Sequence, residues 1–391
     1  MIVNLFSGAD GWGEGAHPLG LHPIDLEWER WPCETAHAAG HHTIRADVAN
    51  YPTSAFTGAE GLAASPPCQA FSTAGKGVGA RAMHLLGPAV HAVAGGADPA
   101  TMRLGLGDDR AGLVLEPVRW VRDLRPRWVA LEQVPPVLPL WKEMARVLRG
   151  WGYSTWTGLL CAADYGVPQT RTRAILIASL DRQVAAPPPT HCKGGAEANM
   201  LDAARRPWVS MAEALGWGFD DIPAKTYCGA RQPRWLYDDP DGTRGRTIAH
   251  LDRRNQTRGV PVPLVPTDRP APTVTSAAVG SSQWLVRTGA PTVVFGHDAP
   301  PPTATRPRPA TVSRQNAEGS FHVEPWEAGV LQSFPPDYPW QGGKTAVGLQ
   351  IGNAIPPLLA THVLAEATGR SPRVAPATRG TPGLGTGGAV G

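Results

Sequence analysis

The segment from Ala64 to Gly75, ASPPCQAFSTAG, sets one cysteine behind two prolines and ahead of a glutamine and a run of small polar residues. Pro66 and Pro67 fix the backbone and remove two amide donors, whereas an inert cysteine sits among aliphatic side chains. Cys68 therefore reads as a presented side chain. A presented thiol becomes a nucleophile once ionised, and what it meets must be read from the rest of the chain.

A second group lies upstream. NLFSGADGWGEG, Asn4 to Gly15, is a glycine-rich turn after an apolar run. Such a turn lets a ligand approach the backbone, and a helix starting behind it offers free amides. A glycine turn by itself is as often plain punctuation as a cofactor loop. Glu27 and Trp28 after the next apolar run, and Asp47 after the third, shift that balance. An acid there can accept hydrogen bonds from both ribose hydroxyls, and an aromatic beside it can stack on adenine. With no P-loop lysine pattern to hold phosphates, the cradle suits an adenosine ligand without them, which is the character of S-adenosylmethionine.

These residues need a frame. IVNLF, PIDLEW, TIRADV, GLAAS, WVALEQV and AILIA read as buried strands, and 113–124 keeps near-helical apolar spacing between two of them. Strand and helix in alternation predict an α/β fold with a mostly parallel sheet covered on both faces, whose ligands gather outside the carboxyl ends of the strands. The glycine turn, Glu27, Asp47, Cys68 and Glu132 all fall at such ends. Residues 76–110, rich in Gly and Ala, carry no firm period and read as a long loop. The alternation stops near 183, where AAPPPTHCKGG reads as a linker. The stretch to 319 reads as a smaller irregular domain. An apolar, helix-compatible pattern returns at 345–367, and the Gly/Pro-rich tail 369–391 reads as disordered.

With these pieces in place the chain resembles the DNA cytosine-5 methyltransferase family. The motifs that carry the resemblance follow the family order: LFSGADGWGEG, SPPCQAFSTAG, LEQV at 131–134, DYGVPQTRTR at 164–173, RPAPTVTS at 269–276, EPWEAGVLQSFPPDYPW at 324–340 and LQIGNAIPP at 349–357. The resemblance implies a Rossmann-like methyltransferase sheet built from 1–182 and 320–368, with a target-recognition domain at 183–319. It implies that Cys68 adds to C6 of a cytosine flipped out of duplex DNA, that Glu132 serves the ring at N3, that Arg173 serves its carbonyl oxygen, and that Arg171 supports them. S-adenosylmethionine would lie against Phe6, Ser7, Gly8, Gly11, Trp12, Glu27, Trp28, Asp47, Val48, Pro67 and Leu113, and a final helix carrying Asn353 and Ala354 would return to complete the pocket. Segment 76–110 would close over the flipped base. The alternatives open at this point are methylation of cytosine in RNA and a silent DNA-binding homologue.

The chain departs from the family pattern at four places. Asn4 stands for the usual aspartate, Asp10 where glycine is common, Ser65 for a glycine and Gln133 for the asparagine after the acid. Asp10 would then sit near the methionine end of the cofactor, and Gln133 would alter hydrogen bonding behind Glu132.

Composition narrows the partners. The net charge of +3 is small but unevenly spread. Residues 1–60 are acidic, whereas 243–259 hold Arg244, Arg246, Arg253, Arg254 and Arg258 against the single acid Asp252, a stretch that phosphates would favour. Five cysteines without a C-x-x-C pair predict free thiols, no disulfide framework and no metal. No apolar run approaches bilayer length, so the expected setting is cytoplasmic, with no membrane partner. Double-stranded DNA is the expected partner, the protein a monomer, and a cognate restriction endonuclease a functional rather than a physical companion.

Overall fold

The computed structural model of the 391-residue chain describes residues 1–67, 71, 83–103, 109–197, 204–215, 247–250, 264–266, 271–272, 284–287, 320–322 and 325–372. Cys68, residues 76–82 and 104–108 of segment 76–110, and the five arginines of 243–259 lie outside the described residues, as does the tail beyond 372.

Seven strands form one sheet: β1 (Ile2–Leu5), β2 (Pro23–Glu27), β3 (His42–Arg45), β4 (Gly61–Ala64), β5 (Trp128–Gln133), β6 (Ser154–Cys161) and β7 (Thr172–Ser179). Their order is β3-β2-β1-β4-β5-β7-β6, with β7 antiparallel to both of its neighbours and the other adjacent pairs parallel. The order reverses between β1 and β4, which opens a crevice at their carboxyl ends. Both faces are covered, because successive side chains of each central strand point to opposite sides. Val129 and Leu131 join the core under α3 (Met83–Ala94), α4 (Glu116–Leu124) and α5 (Leu138–Gly150). Trp128 and Ala130 join the one under α1 (Gly11–Ala16) and the last helix, Pro357–Thr368. The sequence pattern requires this: β1, β4 and β5 are buried throughout and apolar except for Asn4, Glu132 and Gln133.

Two expectations need correction. Segment 76–110 is not one long loop, for α3 spans Met83–Ala94 within it, with Leu86, Ala89, Val90 and Val93 buried at helical spacing. Its Gly87–Pro88 pair hides that period in the sequence. The pattern 345–367 is two helices, α7 (Lys344–Asn353) and α8 (Pro357–Thr368), parted because Pro356 and Pro357 interrupt the turn between them. A further helix, α6 (Pro325–Leu331), precedes them.

A second, antiparallel sheet has four strands, ordered Leu264–Pro266, Thr247–His250, Trp284–Arg287, Ser320–His322, the last of them beyond the 183–319 bounds expected for a smaller domain. Ala271–Pro272 of the RPAPTVTS stretch pairs in parallel with Gln169–Thr170 of QTRTR, so the backbone itself ties these two distant stretches together.

α8 crosses α1 at very close range. A Cβ on Gly11 would stand 2.1 Å from the Ile355 carbonyl oxygen, and one on Gly15 would stand 2.6 Å from the Ala360 Cβ. Gly11→Ala is therefore expected to lower stability by about 1–3 kcal/mol by overpacking, read as a lower urea midpoint at unchanged m-value. A midpoint equal to wild type would refute the contact.

Candidate active site

The carboxyl ends of the strands meet over one cavity of about 550 Å³. Its lining includes Phe6, Ser7, Gly8, Trp12, Glu27, Trp28, Asp47, Val48, Pro67 and Leu113, together with Glu132, Arg171, Arg173, Asn353 and Ala354. Of the described residues expected at the site, only Gly11 is missing from that lining. It spends its missing side chain on the approach of Ile355 instead.

On the β1–β2 side, Glu27 organises the turn. The Gly8 amide donates to its Oε2 at 2.8 Å, and the Trp28 and Glu29 amides donate to Oε1 at 2.7 Å. Burial pushes the carboxyl up, and the three amides partly offset that rise by favouring the ionised form. Each carboxylate oxygen accepts more than one donor, so Oε2 retains capacity for a ligand hydroxyl. Phe6 and Gly8 hold positive φ, 56° and 59°, which bends the chain sharply beneath the cavity. Trp28 is 63% exposed at the rim, an aromatic face offered to a ligand rather than to the core. Asp47 caps its own turn by accepting from the Ala49 amide and Asn50 Nδ2. The Val48 carbonyl is fixed from behind by Arg119 and Trp120 of α4.

On the β5–β7 side, Glu132 and Arg173 lie on neighbouring strands and form an ion pair, Nε to Oε1 2.9 Å, both side chains under a tenth exposed. Gln133 is 1% exposed, and its Nε2 donates to the Pro66 carbonyl at 2.7 Å. The longer amide thus ties the end of β5 to the two prolines that precede Cys68. Trp12 Nε1 donates to Ser65 Oγ at 2.9 Å and secures the same turn from α1. Pro66 and Pro67 line the cavity that holds Glu132 and Arg173.

Arg171 works on the backbone. It is 1% exposed and donates to the carbonyls of Gly352 and Ala354 at 2.9 and 3.1 Å. Gln332, fully buried, donates to the carbonyls of Ile351 and Ala354 and accepts from Gln169 Nε2. These bonds receive the carbonyls freed where α7 ends, and they fix Asn353 at the cavity wall. Asp10 does not line the cavity; it is fully buried as the N-cap of α1, accepting from the Gly13 amide.

Arg110, Trp31, Pro32, Leu349 and Gln350 also line the cavity and were not picked out from the sequence. The two on α7 carried a signal, since they open the LQIGNAIPP stretch. The others come from turns and helices whose direction no local pattern fixes.

The comparisons agree with this geometry. Type II methyltransferase M1.HphI of Haemophilus parahaemolyticus is 26% identical over 386 residues, covering 93% of this chain and 85% of the relative. Type II methyltransferase M.DdeI of Desulfomicrobium norvegicum is 24% identical over 409 residues, covering 93% and 87%. The solved structure of the Entamoeba histolytica methyltransferase EhMeth superposes with a TM-score of 0.54 at 13% identity, covering 94% of this chain and 97% of that one. The family profile described as C-5 cytosine-specific DNA methylase matches residues 1–198, and with the sheet, the turn and the β5–β7 pair in place, the chain belongs to that family of DNA cytosine methyltransferases.

Proposed function

We propose that the protein transfers a methyl group from S-adenosylmethionine to C5 of a cytosine flipped out of a specific duplex DNA sequence, through a transient bond from Cys68 to C6. The observation that carries this reading is that one cavity is lined both by the Glu27–Trp28 cradle and by the Glu132–Arg173 pair, with Pro67 at its wall. When bound, S-adenosylmethionine supplies an electrophilic methyl group on sulfur. The chain supplies the rest. Glu27 takes the ribose hydroxyls and Trp28 the adenine face. The Cys68 thiolate adds to C6, and electron density moves to N3 and the carbonyl oxygen, where Glu132 gives a proton or strong hydrogen bond and Arg173 donates. C5 becomes enamine-like and takes the methyl group. A base, water included, then removes the C5 proton, and the electrons expel the thiolate. Flipping the base costs on the order of a few kcal/mol. The smaller domain would read the sequence, the arginines of 243–259 would meet phosphates, and the protein would act as a cytoplasmic monomer beside a restriction endonuclease of matching specificity.

The test is a trap. With duplex DNA carrying 5-fluorocytosine and S-adenosylmethionine, the full chain is expected to form a denaturant-stable adduct, because fluorine at C5 cannot leave as a proton. Absence of adduct on any duplex, or adduct on RNA alone, defeats the proposal. Bisulfite sequencing of DNA from expressing cells would give the sequence context. For the cofactor cradle, Glu27→Gln is expected to weaken S-adenosylmethionine binding by roughly 10- to 100-fold, since a charged acceptor is lost. Calorimetry without DNA checks it, and unchanged affinity would remove Glu27 from the site.

A further inference from the structure

Behind the glycine turn, away from the cavity, lies a buried polar centre that the methyl-transfer chemistry does not use. Asp10 caps α1, Asp25 sits in β2, and His41 lies in the turn from α2 (Arg30–Ala38) into β3. One ligand atom from each falls within 4.8 Å of the others, and all three residues are buried. The spacing suits a small cation after a modest closing, because ligand atoms at about 2.0–2.2 Å from zinc are themselves roughly 3–3.6 Å apart.

The surroundings favour an ion over a plain hydrogen-bonded cluster. His41 Nε2 lies 2.8 Å from Glu14 Oε1, the carboxylate-to-imidazole arrangement that fixes the tautomer of a metal-binding histidine and turns Nδ1 inward. Nδ1 is 2.9 Å from Asp10 Oδ2, so the imidazole is already held between the Asp10 and Glu14 carboxylates, and a bound cation would take the place of the Nδ1 proton. Asn4 is also fully buried and aims its carboxamide into the centre. Its Nδ2 donates to Asp10 and to Asp25 at 2.9 Å, while its Oδ1 has no partner. An unpartnered buried oxygen on the amide that bridges the two carboxylates is costly unless something electropositive meets it. An open groove lined by Gly40, His41, His42 and Thr43 runs beside the centre at the sheet edge, and Thr43 Oγ1 donates to Asp25 Oδ2 at 3.3 Å.

We propose that Asp10, Asp25 and His41 form a site for a divalent transition-metal ion of the zinc class, with Glu14 orienting the imidazole. One imidazole and two carboxylates match that borderline class better than magnesium, which prefers oxygen and water. The sequence gives no hint of it, because positions 10, 25 and 41 have no local spacing and become neighbours only when β1, β2 and the α2–β3 turn assemble. The ion would brace the turn that presents Gly8 and Glu27, since Asp10 and Asp25 flank it on either side.

The test needs neither DNA nor activity. Full-length protein stripped with chelator is titrated with Co²⁺, read by the visible absorption of a low-symmetry four- or five-coordinate ion, and with Zn²⁺, read by thermal melting. One equivalent and a rising Tm are expected. Asp25→Asn keeps the size of the side chain and an acceptor for Asn4, so it is expected to fold while binding roughly 100-fold or more weakly; Glu14→Gln should bind about 10- to 100-fold more weakly. The triple variant His22→Gln, His37→Gln, His42→Gln should bind like wild type. If Asp25→Asn fails to fold, ¹⁵N spectra of the wild-type histidines decide, with loss of the Nδ1 proton from one buried imidazole on zinc addition expected. No stoichiometric binding, binding indifferent to Asp25→Asn, or binding lost in the triple variant would overturn the site and leave only a protonated network or exposed histidines.

Discussion

Cys68→Ala is expected to lower methyl transfer on the order of 10⁴-fold or more, with S-adenosylmethionine affinity unchanged within a few-fold and no adduct on 5-fluorocytosine DNA. The size of the loss follows from the ring: without addition at C6, C5 does not become nucleophilic. It also follows from the absence of a substitute. No cysteine occurs among the described residues that line the cavity. Cys33 is the described thiol closest in chain and contact to the site, with its Sγ donating to the Glu27 carbonyl. Burial, with Glu27 beside it, pushes that thiol up to about 12, so it stays protonated at neutral pH. Burial raises Cys161 in the same direction. Cys33→Ser should accordingly leave turnover within about twofold, since a thiol that never ionises supplies no nucleophile. Tritiated-methyl incorporation measures both variants. Appreciable transfer by Cys68→Ala would end the covalent reading.

What the sequence disclosed, and what it hid, divides along physical lines. Strands buried on both faces announce themselves as apolar runs, which is why β1, β2, β4, β5 and β7 were legible; TIRADV also marked β3, but as a buried strand, whereas β3 (His42–Arg45) is a largely exposed edge strand. β6 was not, because it is an edge strand of half-buried residues, STWTGLLC, in which Thr and Trp alternate without a clear apolar period. α3 was masked by its own Gly87 and Pro88, although Leu86, Ala89, Val90 and Val93 hold the helical spacing. The site residues at strand ends were legible for a topological reason, as ligands collect there in any open parallel sheet. The glycine-rich turn was legible but partly misattributed: Gly8 serves the bend at the cavity, whereas Gly11 and Gly15 serve the packing of α8.

The contacts of Asp10 and Gln133 were beyond sequence reading, and both departures now have structural partners. Asn4 and Asp10 go together. An aspartate at position 4 would set a third carboxylate against Asp10 and Asp25, whereas the amide of Asn4 donates to both. Gln133 spans from β5 to the Pro66 carbonyl, a reach that fixes the prolines ahead of Cys68. Long-range bonds of this kind connect residues tens of positions apart and have no counterpart in local periodicity.

Glu132→Gln is the second large effect. The amide keeps the volume of the side chain and can still accept from Arg173, so the fold and the wall between β5 and β7 should survive. It cannot deliver a proton to N3 when negative charge arrives there. A loss of about 10²- to 10⁴-fold in the chemical step is expected, the usual contribution of one positioned acid, with little change in cofactor affinity. The ion pair sharpens the forecast. In the free enzyme Arg173 holds the Glu132 carboxylate in place; when cytosine enters, the guanidinium can turn part of its donor set to the carbonyl oxygen, and the carboxyl group, having taken up a proton from solvent as the ion pair loosens, serves N3. Arg173→Lys keeps the charge but loses the planar fork, so it should fall short of wild type despite its matched charge. The measurement that isolates ring activation is exchange of the cytosine C5 hydrogen with solvent in the absence of a methyl donor, which needs addition of Cys68, proton gain and loss at C5 and release of the thiolate, but no methyl transfer. Exchange by Glu132→Gln within tenfold of wild type would mean that the ring is activated without this carboxyl group, and the assignment of the β5–β7 pair to the reacting base would fail.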